Sequence, residues 1–348
     1  MTAIRQEADF TGLQGLTSLD MRRKSCHNAP MIVTVTLNTG LDHVLFCDGF
    51  EWGRTLRAQA SVLGMGCKGV DVAWVLAELG KPALALGWAA GQNGTRMDEM
   101  LRARGVLTDF VWVEGETRLN TVVVDTRRKV QSTITVGGLR PHPEHYRALK
   151  EKIARALTAA PCLVLGGSVP AGANPNLYVE LIEMARARGV PTILDASGAG
   201  LREGVRASPT IVKPNRDELQ EWAGRPLLVP DDIIQAAREM LTCGVERVVV
   251  TLGREGAVAV SAEEIYLIPP LDVPVVNAAG AGDGFVAGLA AMFADGLSWE
   301  EGLRLSAAIA TAVLLTQGTA DCHREDVDRF LPQMRCEEIS LQPRPTAS

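Results

Sequence analysis

The sequence predicts an α/β protein with a mostly parallel sheet covered by helices on both faces, and three observations lead there. Short β-branched runs alternate with helical patterns from Met31 onward. Glycine and proline punctuate the alternation, as Gly80, Pro82 and Gly105 do. Apolar residues make up 47% of the 348 and charged residues 22%, enough for a large core and incompatible with global disorder. Strand–helix alternation of this kind favours parallel strands with helices on both sides. The length allows two average domains or one large one. No linker separates independent units, so a single domain over 31–331 is expected, with tails at 1–30 and 332–348.

Residues 1–30 are polar and lack an apolar period. Residues 31–37 (Met-Ile-Val-Thr-Val-Thr-Leu) form a β-branched run typical of a buried strand. A helix over 70–79 follows, ended by Gly80 and Pro82, then a strand over 82–88 and a helix over 96–104 ended by Gly105. Later strands are expected at 162–165, 192–194, 210–212 and 247–251, with helices at 175–188, 217–222 and 231–243 between them. Long helices near 282–294 and 299–316 complete the core. Two segments, 44–62 and 118–135, are extended and break the rhythm. The second reads as a β-hairpin around a charged turn, and together they predict a small β lid or a dimer contact.

The charge balance excludes several partners. With 35 basic and 41 acidic residues the net charge is −6, so nucleic acid and anionic membrane are poor matches. The longest apolar candidate, 307–315, is about half the roughly 20 residues a membrane helix needs, and no apolar leader opens the chain. Seven cysteines, odd in number and without a C-x-x-C pair, fit free thiols in a reducing cytoplasm.

Two segments carry chemistry. In Asn277-Ala-Ala-Gly280-Ala281-Gly282-Asp283-Gly-Phe, small residues lead straight into an apolar helix. Glycines let a backbone approach an anion, first-turn N–H groups point at it, and a carboxylate sits beside it. That set suits phosphoryl transfer, with a base taking a hydroxyl proton while backbone dipoles absorb charge. An N-cap with tightly packed glycines is the alternative. The second segment, Gly64-Met-Gly66-Cys67-Lys68-Gly69-Val-Asp71-Val-Ala73, contains G-x-G-x-x-G. It does not follow the first strand directly, and position 89, where a dinucleotide fold wants an acid, is alanine. No G-K-[ST] makes it a Walker loop.

These two segments resemble the sugar loop and the G-A-G-D signature of the ribokinase-like (phosphofructokinase B) carbohydrate kinases. Gly166-Gly-Ser168-Val-Pro, Leu194-Asp195, Lys213-Pro-Asn215-Arg-Asp-Glu218 and Thr251-Leu-Gly253-Arg-Glu-Gly256 resemble further elements, in family order. The resemblance implies a three-layer α/β/α sandwich with a small β lid. It implies Asp283 as catalytic base, with Gly280, Ala281 and Gly282 as anion hole. It places Lys213, Thr251, Gly253 and Gly256 at ATP, and Asn215 and Glu218 at magnesium through water. Read from residue types alone, Asn215 and Glu218 are an N-cap and a first-turn acid.

Within the family, Leu37-Asn-Thr-Gly-Leu-Asp42 and Glu116-Thr-Arg118-Leu-Asn120 resemble the branch of 1-phosphofructokinase, tagatose-6-phosphate kinase and the minor 6-phosphofructokinase. There a first-strand aspartate, here Asp42, and the loop residues Gly66, Lys68, Gly69 and Asp71 bind sugar, while Arg118, Asn120 and Ser168 address the sugar and its phosphate. A guanidinium fork suits that phosphate. The implied reaction is ATP-dependent conversion of fructose 1-phosphate to fructose 1,6-bisphosphate, in a homodimer joined through the lid. Tagatose-6-phosphate or fructose-6-phosphate kinases, a kinase of a free sugar or nucleoside, and a silent sugar or nucleotide sensor are the alternatives. Cys67 stands where relatives usually carry glycine, and Asp71 where they carry asparagine. An ionised Asp71 only accepts hydrogen bonds. At roughly 6 Å from a sugar phosphate and an effective dielectric of 20, it would repel by about 2–3 kcal/mol.

Overall fold

The computed structural model describes residues 30–174 and 176–339. Its main sheet has eleven strands. From edge to edge they run Glu337–Glu338, Ile265–Ile268, Ala257–Ser261, Arg247–Thr251, Ile211–Val212, Thr192–Asp195, Leu163–Gly166, Ile32–Thr36, Ala83–Ala89 and Leu107–Thr108, and Val111–Trp112 also pairs with Ala83–Ala89. Neighbours are parallel from Arg247–Thr251 across to Leu107–Thr108 and antiparallel on the other side of Arg247–Thr251.

The β-branched strands are buried on both faces, and their two-residue period splits the core into two. Ile32, Val164 and Val249 face the helices Lys68–Glu78, Ala281–Asp295 and Trp299–Val313. Val33, Leu163, Leu165, Val248 and Val250 face the helices Pro143–Ala156, Leu177–Arg186 and Pro230–Thr242. This is the expected α/β/α sandwich. No helix among the described residues is long and apolar enough to cross a membrane.

The second sheet is the lid, with strand order Ala60–Met65, Gly40–Cys47, Arg118–Asp125, Val130–Ile134. Val44, Phe46, Val122 and Val124 form its own small core. The hairpin around 126–129 is as expected, but the lid begins earlier than position 44. Asp42 therefore lies on a lid strand, not on the first core strand, and pairs in register with Asn120.

Two element ends also differ from expectation, each for a non-local reason. The helix predicted from 96 starts at Gly91, because Glu116 from another segment accepts a hydrogen bond from the Asn93 N–H at 2.6 Å. The C-terminal tail expected from 332 instead sends Glu337–Glu338 to pair with Ile265–Ile268, since backbone pairing needs no apolar pattern. The tail expected at 1–30 lies outside the described residues except for Pro30.

Candidate active site

Parallel strands end on a common side, and the chain places charge there. Asp195 ends the strand Thr192–Asp195, Lys213 follows Ile211–Val212, and Thr251 ends Arg247–Thr251. The helix Lys68–Glu78 begins at the same side, because Gly69 packs against Thr36 and Val35 where a Cβ would collide. The Ala281–Asp295 helix starts on a turn whose Gly280 has φ 82° and abuts Ala320 so closely that only glycine fits.

These ends open into a cavity of about 1380 Å³. Lys68, Lys213, Asn215, Thr251, Gly253, Gly256, Ala281, Gly282 and Asp283 all line it, joined by Asp195. Of the second glycine segment only Lys68 lines this cavity; Gly66, Gly69 and Asp71 do not, nor do Asp42, Arg118, Asn120 and Ser168.

Its floor is an ion-pair network. Lys213 Nζ lies 3.1 Å from Asp195 Oδ2, and Lys68 pairs with Asp195 Oδ1 and, at 2.9 Å, with Glu218 Oε1. Burial alone would raise the Asp195 pKa, but Lys213 and Lys68 outweigh it and hold the carboxyl below its usual range. Burial likewise disfavours the Lys68 ammonium, yet Asp195, Glu218 and Asp283 raise it above the ordinary lysine value. Lys68, expected on the sugar side, is thereby turned to the strand ends. Asp195, named above as part of the resemblance but given no role, joins the site, and an acid closing an apolar strand was a readable signal.

Asp283 sits in the first turn of its helix, buried. Burial and the Asp195 charge push its carboxyl up, Lys68 and Lys213 pull it back, and the balance lies at about 7. No side chain caps this helix, so first-turn N–H groups remain for a ligand. Of the expected anion hole, Ala281 N–H turns back to Ala278 O at 3.4 Å. From the lid, Gln131 Oε1 accepts from Ala278 N–H at 3.2 Å. That contact joins the lid's last strand to this turn, and no sequence signal announced it.

Asn215 and Glu218 form a reciprocal cap. Glu218 N–H donates to Asn215 Oδ1 at 2.8 Å and Asn215 N–H to Glu218 Oε2 at 2.9 Å. With Lys68 on the other oxygen, Glu218 has no oxygen without a protein donor, and among the described residues no cluster of three or more His, Cys, Asp or Glu forms an ion cage. The set fits magnesium held through waters and nucleotide phosphates, not a closed protein site.

Several residues expected at the sugar gather at the lid's root. Asn120 Nδ2 donates to Asp42 Oδ1 at 2.8 Å and to Gly66 O at 3.1 Å, and Thr319 Oγ1 donates to Asp42 Oδ2 at 2.9 Å. Burial raises the Asp42 pKa, and these bonds with Arg118 only partly offset it. Gly66 is obligatory because a Cβ there would strike Asp42. Arg118 Nη2 donates to Cys67 Sγ at 2.9 Å. Ser168 Oγ accepts from Asn38 Nδ2 at 3.1 Å. Three buried polar atoms here lack a partner: Asn120 Oδ1, Arg118 Nε and Asp71 Oδ1. Unpartnered donors and acceptors at one glycine loop suit a polyhydroxy ligand.

Asp71 departs from expectation. It is buried among carboxyls, those of Asp283 and Asp42, and its pKa is raised well above normal by burial first and by those two acids next. The ionised charge facing a sugar phosphate, assumed from sequence, is not what this environment favours.

Comparison with known proteins is consistent with this geometry. The family model described as pfkB family carbohydrate kinase matches residues 31–326. The 1-phosphofructokinase of Xanthomonas campestris is 33% identical over 80% of this chain and 89% of its own length. That of Escherichia coli K12 is 32% identical over 90% and 98%. Among solved structures, phosphofructokinase-2 of Escherichia coli with substrates and products superposes with a TM-score of 0.81 at 31% identity, covering 87% of this chain and 99% of that one. A possible 1-phosphofructokinase of Thermotoga maritima gives 0.81 at 26% identity, over 89% and 100%.

Proposed function

This chain belongs to the pfkB family of carbohydrate kinases, and we propose that it acts within that family as a 1-phosphofructokinase, converting fructose 1-phosphate to fructose 1,6-bisphosphate with ATP. One observation carries the site assignment: a buried carboxyl with a pKa near 7 stands at an uncapped helix start, in one cavity with Lys213 and with Lys68 of the second glycine loop. A base poised near neutrality removes the acceptor hydroxyl's proton as that oxygen attacks the terminal phosphoryl group. Amides of the 280–283 turn other than that of Ala281, which is turned to Ala278 O, then meet charge on the transferred group. Lys68 and Lys213 face the nucleotide phosphates, and Thr251, Gly253 and Gly256 lie along the nucleotide. Arg118 anchors the sugar phosphate at the far end, with Asp42 and Asn120 ordering hydroxyls. Asn215 and Glu218 would hold magnesium through water, and the ion would supply charge neutralisation for the phosphates.

The same reading takes the protein to be one domain from 31 through the strand Glu337–Glu338, with a lid, in the cytoplasm, where its free cysteines stay reduced; all six described cysteines lack a disulfide. A homodimer through the lid accords with the exposed Leu119, Val130 and Ile134 on its strands.

The test measures ADP release with magnesium-ATP across fructose 1-phosphate, fructose 6-phosphate, tagatose 6-phosphate and the free sugars. Fructose 1-phosphate should give the highest kcat/KM, and Asp283→Asn should lower kcat by roughly 10²–10⁴-fold. Binding without turnover would identify a sensor, and preference for a free sugar would overturn the substrate assignment.

A further inference from the structure

The catalytic turn and the lid's root meet at one dipeptide to which the proposed reaction gives no task. Thr319 and Ala320 follow the helix Trp299–Val313, and both are buried. Thr319 Oγ1 donates to Asp42 Oδ2 at 2.9 Å, a bond that crosses from the body of the protein to the lid strand Gly40–Cys47. The next residue, Ala320, donates its N–H to Ala279 O at 3.1 Å, inside the turn that opens the Ala281–Asp295 helix.

Both glycine segments close on the same place. Gly64 pairs with Asp42 across the lid, and a Cβ on it would stand 3.2 Å from Thr319 N. A Cβ on Gly280 would stand 2.2 Å from Ala320 N. The dipeptide is itself tightly held. Ala320 has φ 49°, a left-handed conformation that alanine seldom adopts. Thr316 Oγ1 donates to Asp321 O at 2.8 Å, and Gln317 O accepts from Asn277 Nδ2 at 3.0 Å.

Asp42 is held from two directions: Asn120, on the lid, donates to Oδ1, and Thr319, on the body, donates to Oδ2. A carboxylate offers about four lone-pair sites, so each oxygen can still accept from a sugar hydroxyl. Without the Thr319 hydroxyl, Asp42 would be aimed by the lid alone.

We propose that Thr319 is a positioning residue for the sugar: its hydroxyl aims the Asp42 carboxyl and, with the Ala320 amide on the catalytic turn, sets the acceptor hydroxyl in register with that turn. The inference rests on Asp42 ordering sugar hydroxyls, as proposed above. Register matters because transfer needs the reacting atoms roughly 3–3.5 Å apart and aligned.

Two substitutions of opposite character separate this role from packing. Thr319→Val keeps the shape and removes the hydroxyl. With magnesium-ATP it should lower kcat/KM for fructose 1-phosphate on the order of 10–100-fold, through a lower kcat as well as a higher KM, and leave the KM for ATP unchanged. Thr319→Ser, which keeps the hydroxyl and loses a methyl, should recover most of that loss. A packing role predicts the reverse order. In an Asp42→Ala background, Thr319→Val should cost little more, because Thr319 acts through Asp42. The proposal is overturned if Thr319→Ser is the more impaired of the two, if KM alone changes, or if the effects of Thr319→Val and Asp42→Ala add in full. An impaired Asp42→Ala beside an unimpaired Thr319→Val removes this proposal alone, whereas an unimpaired Asp42→Ala removes the sugar assignment and the proposal with it.

Discussion

The two halves of the site handle polar groups in opposite ways. At the strand ends the lysines are ion-paired, Lys213 with Asp195 and Lys68 with Asp195 and Glu218, and Glu218 caps Asn215, although Asp195 Oδ2 meets Lys213 only as an ion pair and accepts no hydrogen bond. At the lid's root, Asn120 Oδ1, Arg118 Nε and Asp71 Oδ1 are buried without a partner. The difference accords with the ligand proposed for each half. Nucleotide phosphates arrive with their own cation and need a rigid electrostatic frame, whereas sugar hydroxyls need open donors and acceptors. A paired network resists removal of any member through stability; unpartnered groups reveal themselves through binding.

The largest effect should therefore come from breaking the paired half. Lys213 is 3% exposed, and Lys213→Met leaves Asp195 buried with only Lys68. Breaking a buried ion pair from one side costs about 3–5 kcal/mol, and the remaining lysine places this variant near the lower figure. Denaturant unfolding measures it. A loss below about 1 kcal/mol, typical of an exposed pair, would mean that the frame is not held by these charges.

The same contrast explains what the sequence made legible. Lys213, Asn215 and Thr251 follow β-branched runs such as Arg247–Thr251, so local pattern alone fixes their place at strand ends. The sugar half depends on long-range pairing: Asn120 reaches Asp42 across 78 positions and Thr319 reaches it across 277. No local signal assigns Asp42 to a lid strand or gives Thr319 a role. The raised pKa of Asp71 was equally hidden, because it comes from burial first and then from Asp283 and Asp42, which lie on a second helix and on the lid. Within the fold, the helix Pro143–Ala156 escaped notice for a related reason, since only Leu149 and Ile153 of it are buried and its apolar stripe is thin.

On the sugar half the effect should appear in KM. Arg118→Ala removes a charged fork from the proposed phosphate anchor, and hydrogen bonds to charged groups are worth about 1.5–3 kcal/mol. That predicts a rise in KM for the sugar phosphate of about 10–100-fold, with the KM for ATP and the unfolding midpoint nearly unchanged. Arg118→Lys should recover little of it, because an ammonium cannot reproduce the fork. Equal changes in both Michaelis constants would dissolve the division between the two halves.

The smallest effect tests how Arg118 is aimed. Cys67 Sγ accepts from Arg118 Nη2 at 2.9 Å. Burial pushes the Cys67 thiol up to about 12, above the pull of Arg118, so the sulfur acts as a neutral and weak acceptor. Cys67→Gly restores the residue usual in related loops and removes only this contact, leaving the charge on Arg118 intact. The donor is charged but thiol sulfur is a weak acceptor, so the bond is worth about 0.5–1.5 kcal/mol, and KM for the sugar phosphate should rise about two- to tenfold, with kcat and the KM for ATP unmoved. Cys67→Ser, which keeps an acceptor, should recover most of the loss. If Cys67→Gly leaves the sugar-phosphate KM where it was, the lid strand alone orients Arg118, and the thiol is there to fill the space beside Gly40, where a Cβ would stand 3.0 Å from the sulfur.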